Sequence, residues 1–402
     1  MRVLCVSSSR SDVGIWRSIW AALAASGGVS LHVALTGAHS DREEERGSAL
    51  SAIPASARVH AVDGSISGAT PAEVAKGMAL IHGNMARLLE EVVPDIVLVV
   101  GDRLDLLPAV SATLPFNLPI GHVHGGELSY GAVDDRIRHS ISKLAHLHFV
   151  SGADAALRLS RMGEQPDRIF VVGAPGLDHL AATAPIEREA FLGAVGGLED
   201  GSIRLVTVHP ETNSERPLMP MEAILDALDA LPGPTLLTAS NEDLGGATIN
   251  ARLRDFASTR RWVRFVPTLG PGLYPNALRH AAVMIGNSSS GLIEAGYFGL
   301  PVVNVGSRQD GRLRGANVRD VPSRAHDIAA AASACLGMRF DPAVVSMYGD
   351  GRAAPRLVER LLAVTNLADL RSKEFNVRDV QFAAPWYPAH ARERANMVGA
   401  GP

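Results

Sequence analysis

Apolar and polar positions along the chain keep two rhythms in turn. Short, fully apolar runs are followed by longer stretches with apolar residues at helical spacing, which is the pattern of parallel β/α units. RVLCVS (residues 2–7) reads as a buried first strand, followed by a serine-rich turn and a helix from about Val13 to Ala25. VSLHVALTG predicts a second strand, AEVAKGMALIHGNMARLLEEV a long helix, and DIVLVVGD a strand that ends on charged residues. LPIGHVHGG is another strand, DRIRHSISKLAH the helix after its loop, and LHFVS and RIFVVGAPG close a first half near residue 176.

The series then restarts. IRLVTVHPE, TLLTASNED, VRFVPTL, AAVMIGNSSS and PVVNVG are five strand-like runs separated by helical segments. Two halves of the same β/α logic, joined around residues 178–202, predict an α/β fold with two Rossmann-like domains facing a cleft. The expected division is 1–178, 179–365 and a turn-rich tail, 366–402, free to pack back on the first domain. In open α/β sheets ligands sit at the carboxyl ends of the strands. The polar residues that end these runs, Asp102, Arg103, Glu127, His209, Asn241 and Ser288, are therefore expected to converge on the cleft.

Composition narrows the class. The 402 residues are 47% hydrophobic and 20% charged, with a formal net charge of −4, and no Lys/Arg run marks a nucleic-acid groove or a membrane patch. Lysine occurs only at Lys76, Lys143 and Lys373. Cys5 and Cys335 have no metal-type spacing, which fits a reducing compartment. MRVLCV is too short an apolar run for a signal peptide, and no stretch reaches the ~20 apolar residues that span a bilayer. The expectation is a cytoplasmic enzyme or binding protein.

Two segments carry candidate chemistry. In MIGNSSSGLIEAGYFGLP (284–301) a buried strand ends at Gly286, three serines follow, and LIEAGYF begins a helix. Free N–H groups and hydroxyls at a helix start suit a phosphate or diphosphate; a serine-capped helix without a ligand is the plainer alternative. Ser288, Ser289 and Ser290 are the candidate anion donors, and Glu294 a candidate acceptor for ribose hydroxyls. SSSRSDVG (7–14) is a second polar turn; it lacks GxGxxG and so carries no dinucleotide fingerprint. It places Arg10 near the domain interface, and GSRQDGRLRG adds Arg308 and Arg312.

The other segment is HVHGGELSYGAVDDRIRH (122–139), dense in histidine and carboxylate with an arginine among them. A metal site, an acid–base site and a polar loop are all open from its residues. His122 and His124 alternate on a strand and would share a face for zinc with Glu127, although a lone His-x-His is more often a packed pair. Asp135 is as well placed to cap the next helix as to act chemically.

The blocks GDRLD, GHVHGGELSYGAVDDRIRHSISKLAHLHF, VGAPGLD, HPET and IGNSSSGLIEAGYFGLPVVNVGSRQDGR resemble the hydrolysing UDP-N-acetylglucosamine 2-epimerases of sialic-acid-type sugar synthesis. GGE…DDxIRHxIxKLxH and GNSSSGxxE separate that group from the non-hydrolysing epimerases of the same fold. The resemblance implies a glycosyltransferase-B architecture with UDP held mainly by the second domain, no catalytic metal or cofactor, and a homo-oligomer (dimer or tetramer). It implies Ser288 and Ser289 at the diphosphate, Glu294 at the ribose, and Arg10, Arg103, His209, Asn241 and Arg308 as further UDP contacts. Val266 would meet the uracil through its backbone.

The usual Gly-Thr-Arg-Ala-Asp-Tyr turn reads Ser8-Ser-Arg-Ser-Asp-Val13 here, and DREEERGSALSAIPASARVH departs from the family pattern. These departures bear on the exact sugar and on a possible lid. The implied reaction eliminates UDP across C1–C2 to a 2-acetamidoglucal and then adds water. Several carboxylates at one ring suit it, because repulsion and burial split their pKa values into acid and base roles. Asp102, Glu127 and Asp134 are the expected acid–base set. Arg138 is expected to hold Asp134 one helical turn away, and His209 to balance charge. The expected substrate is UDP-GlcNAc. The alternatives are a UDP-2,4-diacetamido-trideoxy sugar, non-hydrolysing epimerisation, and simple glycosyl transfer.

Overall fold

A computed structural model of the protein describes residues 1–66, 70–129, 133–211, 214–240 and 245–376. Among these residues thirteen strands form two all-parallel sheets. The first is ordered β3-β2-β1-β4-β5-β6-β7 and the second β10-β9-β8-β11-β12-β13. The strands of the first are β1 (Arg2–Ser7), β2 (Ser30–Leu35), β3 (Arg58–Ala61), β4 (Ile96–Val100), β5 (Ile120–Val123), β6 (Leu147–Val150) and β7 (Ile169–Val171). The second holds β8 (Arg204–Thr207), β9 (Thr235–Thr238), β10 (Val263–Val266), β11 (Val283–Gly286), β12 (Val302–Val305) and β13 (Val318–Val321). The apolar runs are continuous because helices cover both faces of each sheet; β4 and β11 are buried at every residue.

Two strands escaped the apolar pattern, β3 and β13. Both are edge strands with polar, largely exposed faces, so neither shows a buried-strand signature. The first helix begins at Arg10, three residues earlier than its apolar spacing suggests. Ser9 and Asp12 form a capping box that draws the polar turn into the helix. The segment that departs from the family pattern begins at the last residue of helix Ala38–Asp41, forms helix Glu43–Ala52 and enters β3.

The chain order also returns. Helix Ala353–Leu362 follows the second sheet, yet Ala354, Leu357, Val358 and Leu361 share the apolar core built by β1, β4 and the helix Arg10–Ala25. Leu370 joins the same core. Residues 377–402, most of the predicted tail, lie outside the described residues.

In each sheet the strand order reverses beside the first strand: β1 lies between β2 and β4, and β8 between β9 and β11. Such switch points open a crevice at the strands' carboxyl ends. The turns after β1, β4 and β5 face it from one side, and those after β8, β9, β11 and β12 from the other.

Candidate active site

A cavity of about 900 Å³ separates the sheets. Ser9, Arg10, Glu45 and Arg103 line it from the first, and Ser240 and Thr268 from the second. The carboxylate cluster after β5 and the serine turn after β11 flank this lining without being part of it.

The first-sheet cluster is charged and closely bonded. Arg138, on helix Val133–Leu144, is buried. One Nη2 donates to Asp102 Oδ2, while Nη1 donates to the His124 carbonyl at 2.7 Å and lies 3.9 Å from Glu127 Oε2. Ser129 adds a hydroxyl 3.4 Å from Asp102. The cation thus joins the ends of β4 and β5, and its partner is Asp102 rather than Asp134. Its side chain runs inward beneath the loop, whereas Asp134 is exposed on the first turn of the same helix.

Glu127 Oε1 accepts from His124 Nδ1 at 2.6 Å and from Ser151 Oγ at 2.5 Å. Burial alone would raise this carboxyl; the charge and hydrogen bond of His124, the Arg138 guanidinium and the Ser151 hydroxyl outweigh it and hold Glu127 well below the ordinary range. Asp134 shifts upward, through the partial burial of its carboxyl and then repulsion by Asp102, against the pull of Arg103 and Arg138. Two neighbouring carboxyls are therefore driven apart in acidity.

The histidines separate by role. His122 Nε2 donates to the Gly101 carbonyl at 2.7 Å, and its Nδ1 takes the Ser142 hydroxyl at 3.1 Å. Burial lowers it to about 3. His124 does not share its face, because β5 stops at Val123 and His124 turns to φ +62°. Among the described residues no three His, Cys, Asp or Glu side chains stand together as a metal site. Asp135 takes the Ser129 N–H at 2.7 Å, closing the loop ahead of its helix, with His139 3.6 Å away. Gly126 must be glycine: at φ +73° an added Cβ would lie 2.7 Å from the Ala155 carbonyl.

Across the cleft the second sheet presents uncharged donors. The Asn287 amide exchanges hydrogen bonds with the His209 backbone, 2.7 Å from its N–H and 2.9 Å to its carbonyl, clasping the turns after β8 and β11. Burial, and then the nearby Arg308 charge, lower His209 to about 4. Its Nδ1 lies 3.3 Å from Ser240 Oγ. Arg308 donates to the Asn287 carbonyl at 3.3 Å, and its own N–H is held by Glu211 at 3.1 Å.

Ser288 caps the next helix, which runs only from Ser289 to Ile293 before tightening into a 3₁₀ turn, Ala295–Phe298. LIEAGYF is thus the end of a short helix rather than its beginning. Ser290 hydrogen-bonds both Tyr274 and Glu294, and burial raises the Glu294 carboxyl. Val266 ends β10, paired with Thr238 of β9.

Arg103 donates to Ser8 Oγ at 3.2 Å and pairs with buried Asp105 at 3.3 Å. Arg10 faces Glu44 and Glu45 at 3.8 and 4.0 Å, and its backbone N–H is taken by Glu45 at 2.6 Å. Asn241 lies outside the described residues.

Asn287, Ser151, Ser129 and Tyr274 were not candidates from sequence. Ser151 and Asn287 directly follow β6 and β11, so the strand-end rule that selected Glu127 and Ser288 extends to them. Ser129 and Tyr274 carry no such signal.

Two parallel sheets meeting across a cleft at their switch points, helices on both faces of each, define the glycosyltransferase-B class of fold. A family model for "UDP-N-acetylglucosamine 2-epimerase" matches residues 21–362, and the chain belongs to that family. It is 33% identical over 380 residues to the UDP-N,N'-diacetylbacillosamine 2-epimerase (hydrolyzing) of Legionella pneumophila, covering 90% of this chain and 96% of that one. To the UDP-N-acetylglucosamine 2-epimerase of Neisseria meningitidis serogroup B it is 32% identical over 374 residues, covering 91% and 95%. The fold also matches a Neisseria meningitidis UDP-GlcNAc 2-epimerase crystallised with UDP-GlcNAc, at TM-score 0.68 and 20% identity over 90% of this chain and all of that one. No helix among the described residues is long and apolar enough to cross a membrane.

Proposed function

We propose that the protein is a hydrolysing 2-epimerase that converts a UDP-2-acetamido sugar and water to UDP and the free C2-epimeric sugar. The observation that carries this reading is the set of carboxylates gathered around Arg138, which bonds Asp102 and lies 3.9 Å from Glu127, with Asp134 on the first turn of the same helix. Glu127 is held ionised by its donors while Asp134 is shifted upward, so the carboxyls of the cluster differ in acidity.

In the first step the C2 proton leaves to one carboxylate, the C1–C2 double bond forms, and the C1–O bond breaks to release UDP. In the second, water adds its oxygen at C1 and a proton arrives at C2 on the opposite face. Asp102, Glu127 and Asp134 form the acid–base set, and Arg138 fixes Asp102 and Glu127 relative to each other. Ser288 and Ser289 serve the diphosphate with Arg10, Arg103 and Arg308, while His209, neutral at working pH, offers hydrogen bonds without adding charge. Glu294, held by Ser290, faces the ribose, Val266 presents its backbone to the uracil, and Asn241 completes this set.

UDP-GlcNAc, giving ManNAc, is the first substrate to test. The Legionella relative favours a second reading, a UDP-2,4-diacetamido-trideoxy sugar. Incubating the enzyme with each sugar nucleotide in deuterated water and following the reaction by NMR separates these readings. UDP with a free, C2-deuterated sugar is the expected outcome, and the faster substrate identifies the sugar. Intact UDP-sugar epimer as the product, or turnover only when a sugar acceptor is added, would overturn hydrolysis.

A further inference from the structure

We infer that His124 and Ser151 are positioning residues that hold one oxygen of Glu127, so that the other oxygen is the one that handles the proton. This inference rests on the proposed catalytic role of Glu127. The residues involved follow two adjacent parallel strands, β5 and β6, whose ends are in register.

His124, just past β5, takes up a left-handed backbone at φ +62°, a conformation uncommon outside glycine and concentrated at functional sites. Two bonds hold it there. Its N–H donates to the Phe149 carbonyl of β6 at 3.0 Å, and its own carbonyl accepts Arg138 Nη1 at 2.7 Å. The left-handed turn folds the imidazole back over the two glycines that follow, onto Glu127 three residues on.

A carboxylate only accepts hydrogen bonds, so the proton of that 2.6 Å contact sits on His124 Nδ1. Ser151, the first residue past β6, donates to the same Oε1 at 2.5 Å. Two donors thus occupy Oε1. Oε2 has Arg138 Nη1 at 3.9 Å, which supplies charge without a hydrogen bond. That oxygen keeps its lone pairs for a substrate proton. Neither His124 nor Ser151 need touch the sugar; both act through Glu127.

The test uses kcat and KM, read by UDP release, for Ser151→Ala, His124→Gly and His124→Asn. Glycine accepts the left-handed backbone but has no donor. Asparagine tolerates that backbone and can restore an N–H near Nδ1. Losing a donor frees Oε1 and lets the Glu127 carboxylate turn, so Ser151→Ala and His124→Gly should each act on turnover rather than on substrate binding. Each should lower kcat about tenfold with KM within about twofold, and His124→Asn should recover most of the loss.

An unchanged kcat in Ser151→Ala, whose melting temperature reports an intact fold, overturns the inference. So does an effect confined to KM. Glu127→Gln separates this failure from that of the underlying reading. If Glu127→Gln still turns over, the catalytic role of Glu127 falls. If it is inactive while Ser151→Ala keeps the unaltered kcat, only the positioning role falls.

Discussion

The turn after β5 in the first sheet and the turn after β11 in the second both lie at the carboxyl ends of strands just past their sheet's switch point, β5 one strand further out than β11, yet they are built from different chemistry. The β5 turn holds its residues with charge: buried Arg138 against Asp102 and Glu127, reinforced by His124 and Ser151. The β11 turn holds its residues with an uncharged amide clasp, Asn287 on the His209 backbone, and hydroxyl contacts through Ser288 and Ser290. A buried ion pair is worth little for stability compared with apolar packing. What it supplies is a set of carboxylates with unequal acidity. Neutral amide and hydroxyl donors do not transfer protons at neutral pH, but they can bond an anion. On the proposed function, one fold therefore carries a reacting wall and a holding wall.

The sharpest way to break this contrast is on the reacting wall. Glu127→Gln is expected to lower turnover by about 10³-fold while UDP affinity, measured by calorimetry, stays within about twofold. Comparable turnover in the variant would erase the distinction between the walls. Arg138→Met should cost about 3–5 kcal/mol in urea unfolding, because it strands Asp102 beside Glu127 without their cation.

Below the reacting wall, Glu164 is buried against Lys143 at 2.5 Å, Lys373 at 2.7 Å and His148 at 2.9 Å. Two of the chain's three lysines meet there, and Lys373 also donates to the Lys143 and Ala145 carbonyls that end the Arg138 helix. Burial opposes the charge on Glu164, but the hydrogen bonds from His148, Lys143 and Lys373 prevail and lower it to about 2. A depressed carboxyl stabilises the fold above its unfolded pKa, and that contribution fades as pH falls. Glu164→Gln should therefore lose about 3 kcal/mol near neutrality. The gap to the unaltered protein should close as pH drops from 4.5 towards 2.

Smaller effects belong to the holding wall. Ser288→Ala should weaken UDP about tenfold with kcat at saturation nearly unchanged; a fall in kcat alone would move Ser288 to the reacting side. The smallest is Glu45→Gln, which removes a carboxylate from Arg10 and should tighten UDP by about twofold to threefold at low salt and less at high salt.

How much of this could be read in advance follows the physics of each signal. β4 and β11 are legible because helices on both sides make every residue apolar, whereas β3 and β13, at the sheet edges, have no such run. Asp102, Glu127 and Ser288 are legible because polar residues closing apolar runs must lie at the carboxyl edge. Arg138 is legible as a residue but not by its partner. Helical spacing puts it beside Asp134, and only the inward path of its side chain takes it to Asp102, 36 residues away. Lys373 looked like tail composition until the chain folded it under the site.

The order of strands and helices, the two-sheet plan and the polar strand ends are properties of local sequence, set by periodicity and by residues that stop it. The tertiary structure alone decided which oxygen meets which donor: His124 and Ser151 on Glu127, Asn287 on His209, Lys373 on the Arg138 helix. Those contacts join segments from separate strands, and a hydrogen bond made or missed by an ångström leaves no trace in the spacing of residues along the chain.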